Sequence, residues 1–176
     1  MAKISAIDIK KLYYCDVLTT APTQAGMEDL VESATEIDNV HQDTWSVEES
    51  EASQDSYKNQ LTGMTYRMGA KNMGEVTFNF TIGRYDFATK TALMGGSTLT
   101  SGTPAAEVGW ARANGVVEIK KCLIALTEDN VYCVLPCANI TAREANTDGA
   151  VGIAVVGTML EPETAGIAPE YWFDNN

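Results

Sequence analysis

Along "EVTFNFTIG" the chain alternates, with Val76, Phe78, Phe80 and Ile82 apolar and Thr77, Asn79 and Thr81 polar. A period of two marks a strand that buries one face. In "RYDFATKTALMGG" the period changes. Phe87, Thr91 and Met94 fall on one side of a helix, Asp86 is placed to cap the first turn, and Gly95 to stop the last. The pattern therefore predicts a strand over 76–82 and a short helix over about Asp86–Met94. Upstream, "IKKLYYCDVL" (Ile9 to Leu18) is rich in aromatic and branched residues and reads as a strand, broken by Pro22 and Gly26. Met27, Leu30, Val31 and Ala34 recur at helical spacing, which predicts a second short helix. The following stretch, "ATEIDNVHQDTWSVEES", reads as extended, either two strands or one long bent one.

The second half is punctuated by turn signals. "GGSTLTSGTPAAE", rich in Gly, Ser and Thr, reads as a loop over Gly95–Ala106. Asn114-Gly115 lies between strand-like runs and predicts a hairpin. Further turns are expected at Glu128-Asp129-Asn130 and around Asn146 to Gly149. The back half is thus expected to be an antiparallel meander of about four strands. The fold class that follows is mainly β: an antiparallel β-sandwich or partly closed barrel with one clear flanking helix, as a single domain over residues 1–176.

Composition narrows the function. Of 176 residues, 45% are apolar and 20% charged, which suits a folded domain rather than a disordered one. Net charge is −12, from 24 acids against 12 bases. That balance opposes binding to a phosphate backbone, yet it suits a surface along which a polyanion slides without sticking. The charge is uneven. No Lys or Arg lies between Lys11 and Lys58, a gap that holds eleven acids and most of the segment "DTWSVEESEASQDSYKN". A solvated face is the usual fate of such a run. Mutual repulsion of these acids predicts that added salt assists any self-assembly. No apolar run is long enough for a membrane span, and "MAKISAIDIKKLYYCDV" contains no secretory h-region. Synthesis in a reducing cytosol is the expectation, with Cys15, Cys122, Cys133 and Cys137 as free, mostly buried thiols.

Candidate chemistry is sparse. His41 is the sole histidine and sits between Asp38 and Asp43, a weak metal-ligand pattern. Cys133 and Cys137, four apart in an extended strand, are roughly 13 Å from each other, too far to share an ion or a bond. Neither a nucleophile elbow nor a phosphate-binding glycine loop is present. Glu48 and Glu49, adjacent in a strand, point to opposite faces, which is poor geometry for acid–base work. The expectation is a protein that is not an enzyme and uses no cofactor or metal. A small-ligand-binding β-barrel, which needs an apolar cavity, remains an alternative. A metalloprotein dependent on His41 is a more remote one.

One layout is suggestive as a whole. An acidic extended region after a first strand leads into "LTGMTYRMG". A strand then runs straight into a short helix, "VTFNFTIGRYDFATKTALMGG", and a meander closes with "VYCVLPCANITAREANTDGAVGIAVVGTMLEP". From about Thr35 to Pro162 this resembles the tail tube (major tail) proteins of long-tailed bacteriophages and, more distantly, the Hcp-type tubes of contractile injection systems. The resemblance implies a β-sandwich or barrel with extended N- and C-terminal arms. It implies hexameric rings that stack into a hollow tube, through which DNA passes without tight binding. Partners would be further copies of the chain and other tail proteins, with no membrane. The location would be the virion tail, assembled in the host bacterial cytoplasm. An acidic lumen, typical of the family, would place Glu48, Glu49, Glu51 and Asp55 on or near a wall or an inter-ring arm. Tyr171, Trp172 and Phe173 form an apolar tail expected to dock on its own domain or on a neighbour, which makes them candidate assembly contacts.

Overall fold

The computed structural model of the chain describes residues 4–175. Strand β1 (Lys11–Cys15) is followed by a 3-10 turn at Gln24–Gly26 and helix α1 (Met27–Ser33). Strands β2 (Thr35–Ile37), β3 (Ser46–Glu49), β4 (Ser53–Lys58), β5 (Thr65–Asn72) and β6 (Val76–Ile82) come next. Helix α2 (Phe87–Met94) precedes β7 (Ser97–Ser101) and β8 (Ala106–Ala111). The chain closes with β9 (Lys120–Leu126), β10 (Val131–Thr147), β11 (Ala150–Met159) and β12 (Tyr171–Asp174). Eight strands form one curled, half-barrel sheet in the order β2-β1-β9-β10-β11-β6-β3, with β12 joined to β10. The pairs β4–β5 and β7–β8 are separate two-stranded sheets. Every strand pairing is antiparallel.

The alternation in β6 has its expected result. Val76, Phe78, Phe80 and Ile82 are buried, while Thr77, Asn79 and Thr81 are partly covered. The β1-β9-β10 part of the sheet is apolar on both faces, which explains why its strands read as near-continuous apolar runs. Leu12, Tyr14, Leu123, Ala125, Cys133 and Leu135 point into the main core with the β6 residues and Leu93 of α2. Their sequence neighbours Tyr13, Cys122, Ile124, Leu126, Tyr132 and Val134 form a second cluster. Leu30 and Val31 of α1, with Tyr171 and Phe173 of β12, cover that cluster.

β10 changes partners midway. Val131 to Val134 pair with β12, whereas Ala138 to Thr147 pair with β11. Its register against β9 slips between Leu135 and Ala138. Pro136 sits in this gap, where the ladder does not need its missing N–H. Asp86 caps α2 through a 2.6 Å hydrogen bond donated by the Thr89 amide, and Gly95 ends the helix at φ 73°. The turn at Asp148-Gly149 has both residues at positive φ, 50° and 97°, as a tight two-residue hairpin requires.

Two sequence expectations are corrected. Gly95–Ala106 is not a loop: Ser97–Ser101 forms β7 and pairs with β8. Gly96, also at positive φ, brings this hairpin onto α2, where a Cβ would lie 2.3 Å from the Ala111 carbonyl oxygen. Asn114-Gly115 is not a hairpin turn, because β8 is already paired with β7 and the chain crosses from 112 to 119 without a strand. At the expected C-terminal arm, Tyr171–Asp174 forms a strand of the main sheet. The start of the expected N-terminal arm, residues 1–3, lies outside the described residues. Beyond it, the Ile7 carbonyl accepts from the Glu128 amide at 3.1 Å, and the Lys10 amide donates to the Leu126 carbonyl at 2.7 Å. This segment therefore runs beside the end of β9.

Candidate functional site

Three of the four singled-out acids fall together. Glu48 and Glu49 lie on β3, the edge strand opposite Thr77 and Val76 of β6, and both are exposed. Glu51 follows in an exposed loop. The structure adds Glu75, which the sequence reading missed. Its amide donates to the Ser50 hydroxyl at 2.8 Å and its carbonyl accepts from the Ser50 amide at 3.0 Å. Glu48, Glu49, Ser50, Glu75 and Thr77 line one cleft of about 300 Å³. Gly74 makes this junction possible, because a Cβ there would sit 1.7 Å from the Ser50 carbonyl oxygen. Asp55 lies apart, on β4.

The β4–β5 hairpin rising from this junction is unlike the rest of the molecule. All of β4 is exposed, and so is β5 apart from partly covered Gly69. Neither strand packs extensively on any element but the other. Tyr66, Met68 and Ala70 share one face of β5, with Arg67 and Lys71 on the other. The Arg67 guanidinium stacks over the Tyr57 ring at 4.2 Å. Leu61, Met64, Tyr66, Met68 and Met73 are all exposed, Leu61 almost completely at 94%. Between Lys58 and Gly74 the chain carries three bases, Lys58, Arg67 and Lys71, and no acid. An acidic edge and a basic stretch of the hairpin thus adjoin. The signal for this arm was the alternation in "TYRMGAKN", which has the period of a strand with a face to bury.

The aromatic tail divides. Tyr171 and Phe173 stack at 5.7 Å with their planes 17° apart and pack on the second core cluster. Trp172, on the opposite face of β12, is partly exposed. The C-terminal aromatics therefore dock chiefly on their own chain.

His41 meets neither Asp38 nor Asp43 in an ion pair; its Nε2 lies 3.4 Å from Asp148 Oδ2 in the β10–β11 turn. No group of three or more His, Cys, Asp and Glu residues placed to hold a metal ion occurs among the described residues. Cys15, Cys122, Cys133 and Cys137 are free thiols, and all but Cys15 are fully buried. Burial pushes the Cys133 thiol well above its usual value. A cleft of about 340 Å³ is lined largely by polar and charged groups, among them Glu36, Asp38, Arg84, Tyr85 and Asp86. That lining differs from the apolar interior that a ligand-binding barrel uses. No helix among the described residues is long and apolar enough to cross a membrane.

A cation network ties α2 and β8 to β10. Lys90 Nζ is 2.8 Å from Glu144 Oε1 and lies over the rings of Trp110 and Tyr85, at 4.3 and 5.3 Å. Arg112 reaches the other Glu144 oxygen at 3.2 Å. Lys90, followed by the Arg112 charge, holds the Glu144 carboxyl below its usual range. The Trp110 indole N–H donates to the Gly95 carbonyl at 2.9 Å, which fixes β8 against the end of α2. Compared with known protein families and with curated proteins, the sequence matches none.

Proposed function

We propose that the chain is a non-enzymatic structural subunit that assembles with copies of itself into stacked rings, forming a hollow tail tube that DNA traverses. The observation that carries the reading is the β4–β5 hairpin. Two strands isolated in water are marginal, and an exposed apolar face of this kind marks an interaction surface. The hairpin's bases complement the acidic β3 edge, so one copy's arm suits the next copy's Glu48, Glu49 and Glu75. Such a contact is heterologous: it joins different surfaces and propagates into rings or filaments. The acids on β3 also discourage simple edge-to-edge pairing of two such strands, which favours the basic arm as their partner.

The tail-tube layout supports a ring of six and a lumen that tolerates DNA, with Glu51 and the other acids at or near its wall. The location that follows is the virion tail, built in the host bacterial cytoplasm alongside other tail proteins. Negative-stain electron microscopy over a concentration and salt series tests the proposal. Uniform rings or hollow tubes are expected. Monomers at every concentration, confirmed by sedimentation, would remove the self-assembly reading.

A further inference from the structure

We propose that Cys15 and Cys122 form a redox-modifiable dithiol that closes into an intrachain disulfide. The two face each other directly in the β1–β9 ladder. Opposed residues of an antiparallel pair have Cα atoms about 4.5–5.5 Å apart and side chains on the same face. That separation lies within the roughly 4.4–6.8 Å that a disulfide spans. Both thiols belong to the face covered by α1, and the ladder holds them there from distant parts of the chain.

The pair is also asymmetric. Cys122 is completely buried, whereas Cys15 is partly accessible beside the exposed Asp16–Lys121 ion pair. The neighbouring Cys122 thiol favours a thiolate on Cys15, partly opposed by burial and by the Asp16 charge. The neighbouring Cys15 raises Cys122, as does its burial. Cys15 is thus the attacking sulfur and Cys122 the resolving one.

The oxidant is a small-molecule disulfide. The Cys15 thiolate attacks one of its sulfurs, its S–S bond breaks, and one thiolate leaves. The Cys122 thiol then attacks the Cys15 sulfur and passes its proton to the departing sulfur, which leaves as the second thiol. Two protein thiols become one disulfide and the oxidant gains two electrons. The chemistry is independent of what the chain assembles into.

The test incubates the full, folded chain with oxidised glutathione, followed by intact-mass and peptide mapping without reductant. Loss of two hydrogens, a linked Cys15–Cys122 peptide and reversal by dithiothreitol are expected, with a higher unfolding midpoint for the oxidised form. Cys122→Ser should trap glutathione on Cys15, and Cys15→Ser should remain unreacted. Four surviving thiols in the wild type, a lasting glutathione adduct, or a linkage between other cysteines would overturn the proposal. Because wild-type mapping decides this alone, a variant that fails to fold does not weaken the test.

Discussion

β5 and β6 are neighbours in sequence and opposites in surroundings. Both alternate with a period of two. β6 turns Val76, Phe78, Phe80 and Ile82 into a finished core, where Phe78 and Phe80 meet edge to face at 6.0 Å. β5 holds Tyr66, Met68 and Ala70 on one face with nothing of its own chain to cover them. An alternating pattern therefore announces a face that wants burial. It does not say whether the covering surface belongs to the same molecule.

The contrast can be broken most forcefully at β6. Phe78→Ala should cost about 4 kcal/mol, the range for emptying an aromatic site in a closed core, and denaturant unfolding would read it directly. A loss near zero would mean that the sheet is not self-sufficient. Asp86→Ala removes the cap of α2 and should cost about 1 kcal/mol. The Asp86 carboxyl is held below its usual range by hydrogen bonds from the Thr89 amide and hydroxyl. A depressed folded value means that its stabilisation is present above the unfolded value and lost as pH falls through the folded one. The variant should therefore differ from wild type at neutral pH and converge with it in acid.

Glu144→Gln should cost less, up to about 1 kcal/mol, because Glu144 is largely exposed and its ion pairs are screened. The sign of its pH dependence matches that of Asp86, since Lys90 depresses the same kind of group. Smallest in stability is the double change Tyr66→Ser with Met68→Ser. These exposed positions should move unfolding by less than about 0.5 kcal/mol. The same variant should abolish rings and tubes in electron micrographs, whereas assembly as good as wild type would show that the β5 face is not the contact. Salt sharpens the point. Repulsion among the eleven acids predicts that salt promotes assembly. An arm carrying Lys58, Arg67 and Lys71 against the β3 acids predicts the reverse. A light-scattering series would decide which set of charges controls the contact.

Legibility followed locality. β6, α2, and the turns at 128–130 and 148–149 were readable because each is decided by residues within a few positions. Helix α1 was legible for the same reason. The β7–β8 hairpin was not. Ser97–Ser101 has the composition of a loop, and its strand character comes from β8 and from Trp110 packed on Gly95. Asn114-Gly115 misled because the strand before it already had a partner on its other side in sequence. At the candidate site, Glu48, Glu49 and Glu51 stood out as a charge run. Glu75 joined them only through the fold, and the hairpin's independence from the main sheet left no mark in its alternation.

The partner changes along β10 bear on how the chain is made. β1 waits for β9, and β6 waits for β11, so two early strands lack their principal ladders until the last third of the sequence has been synthesised. β10 joins β9, β11 and β12, and no shorter segment substitutes for it. On the ribosome, the apolar residues of β1 and β6 therefore emerge long before they can be sheltered. Non-local pairing of this kind folds slowly and exposes sticky intermediates. A nascent chain halted before Val131 should be held by chaperones, and the sheet should close only after the final strands have been released.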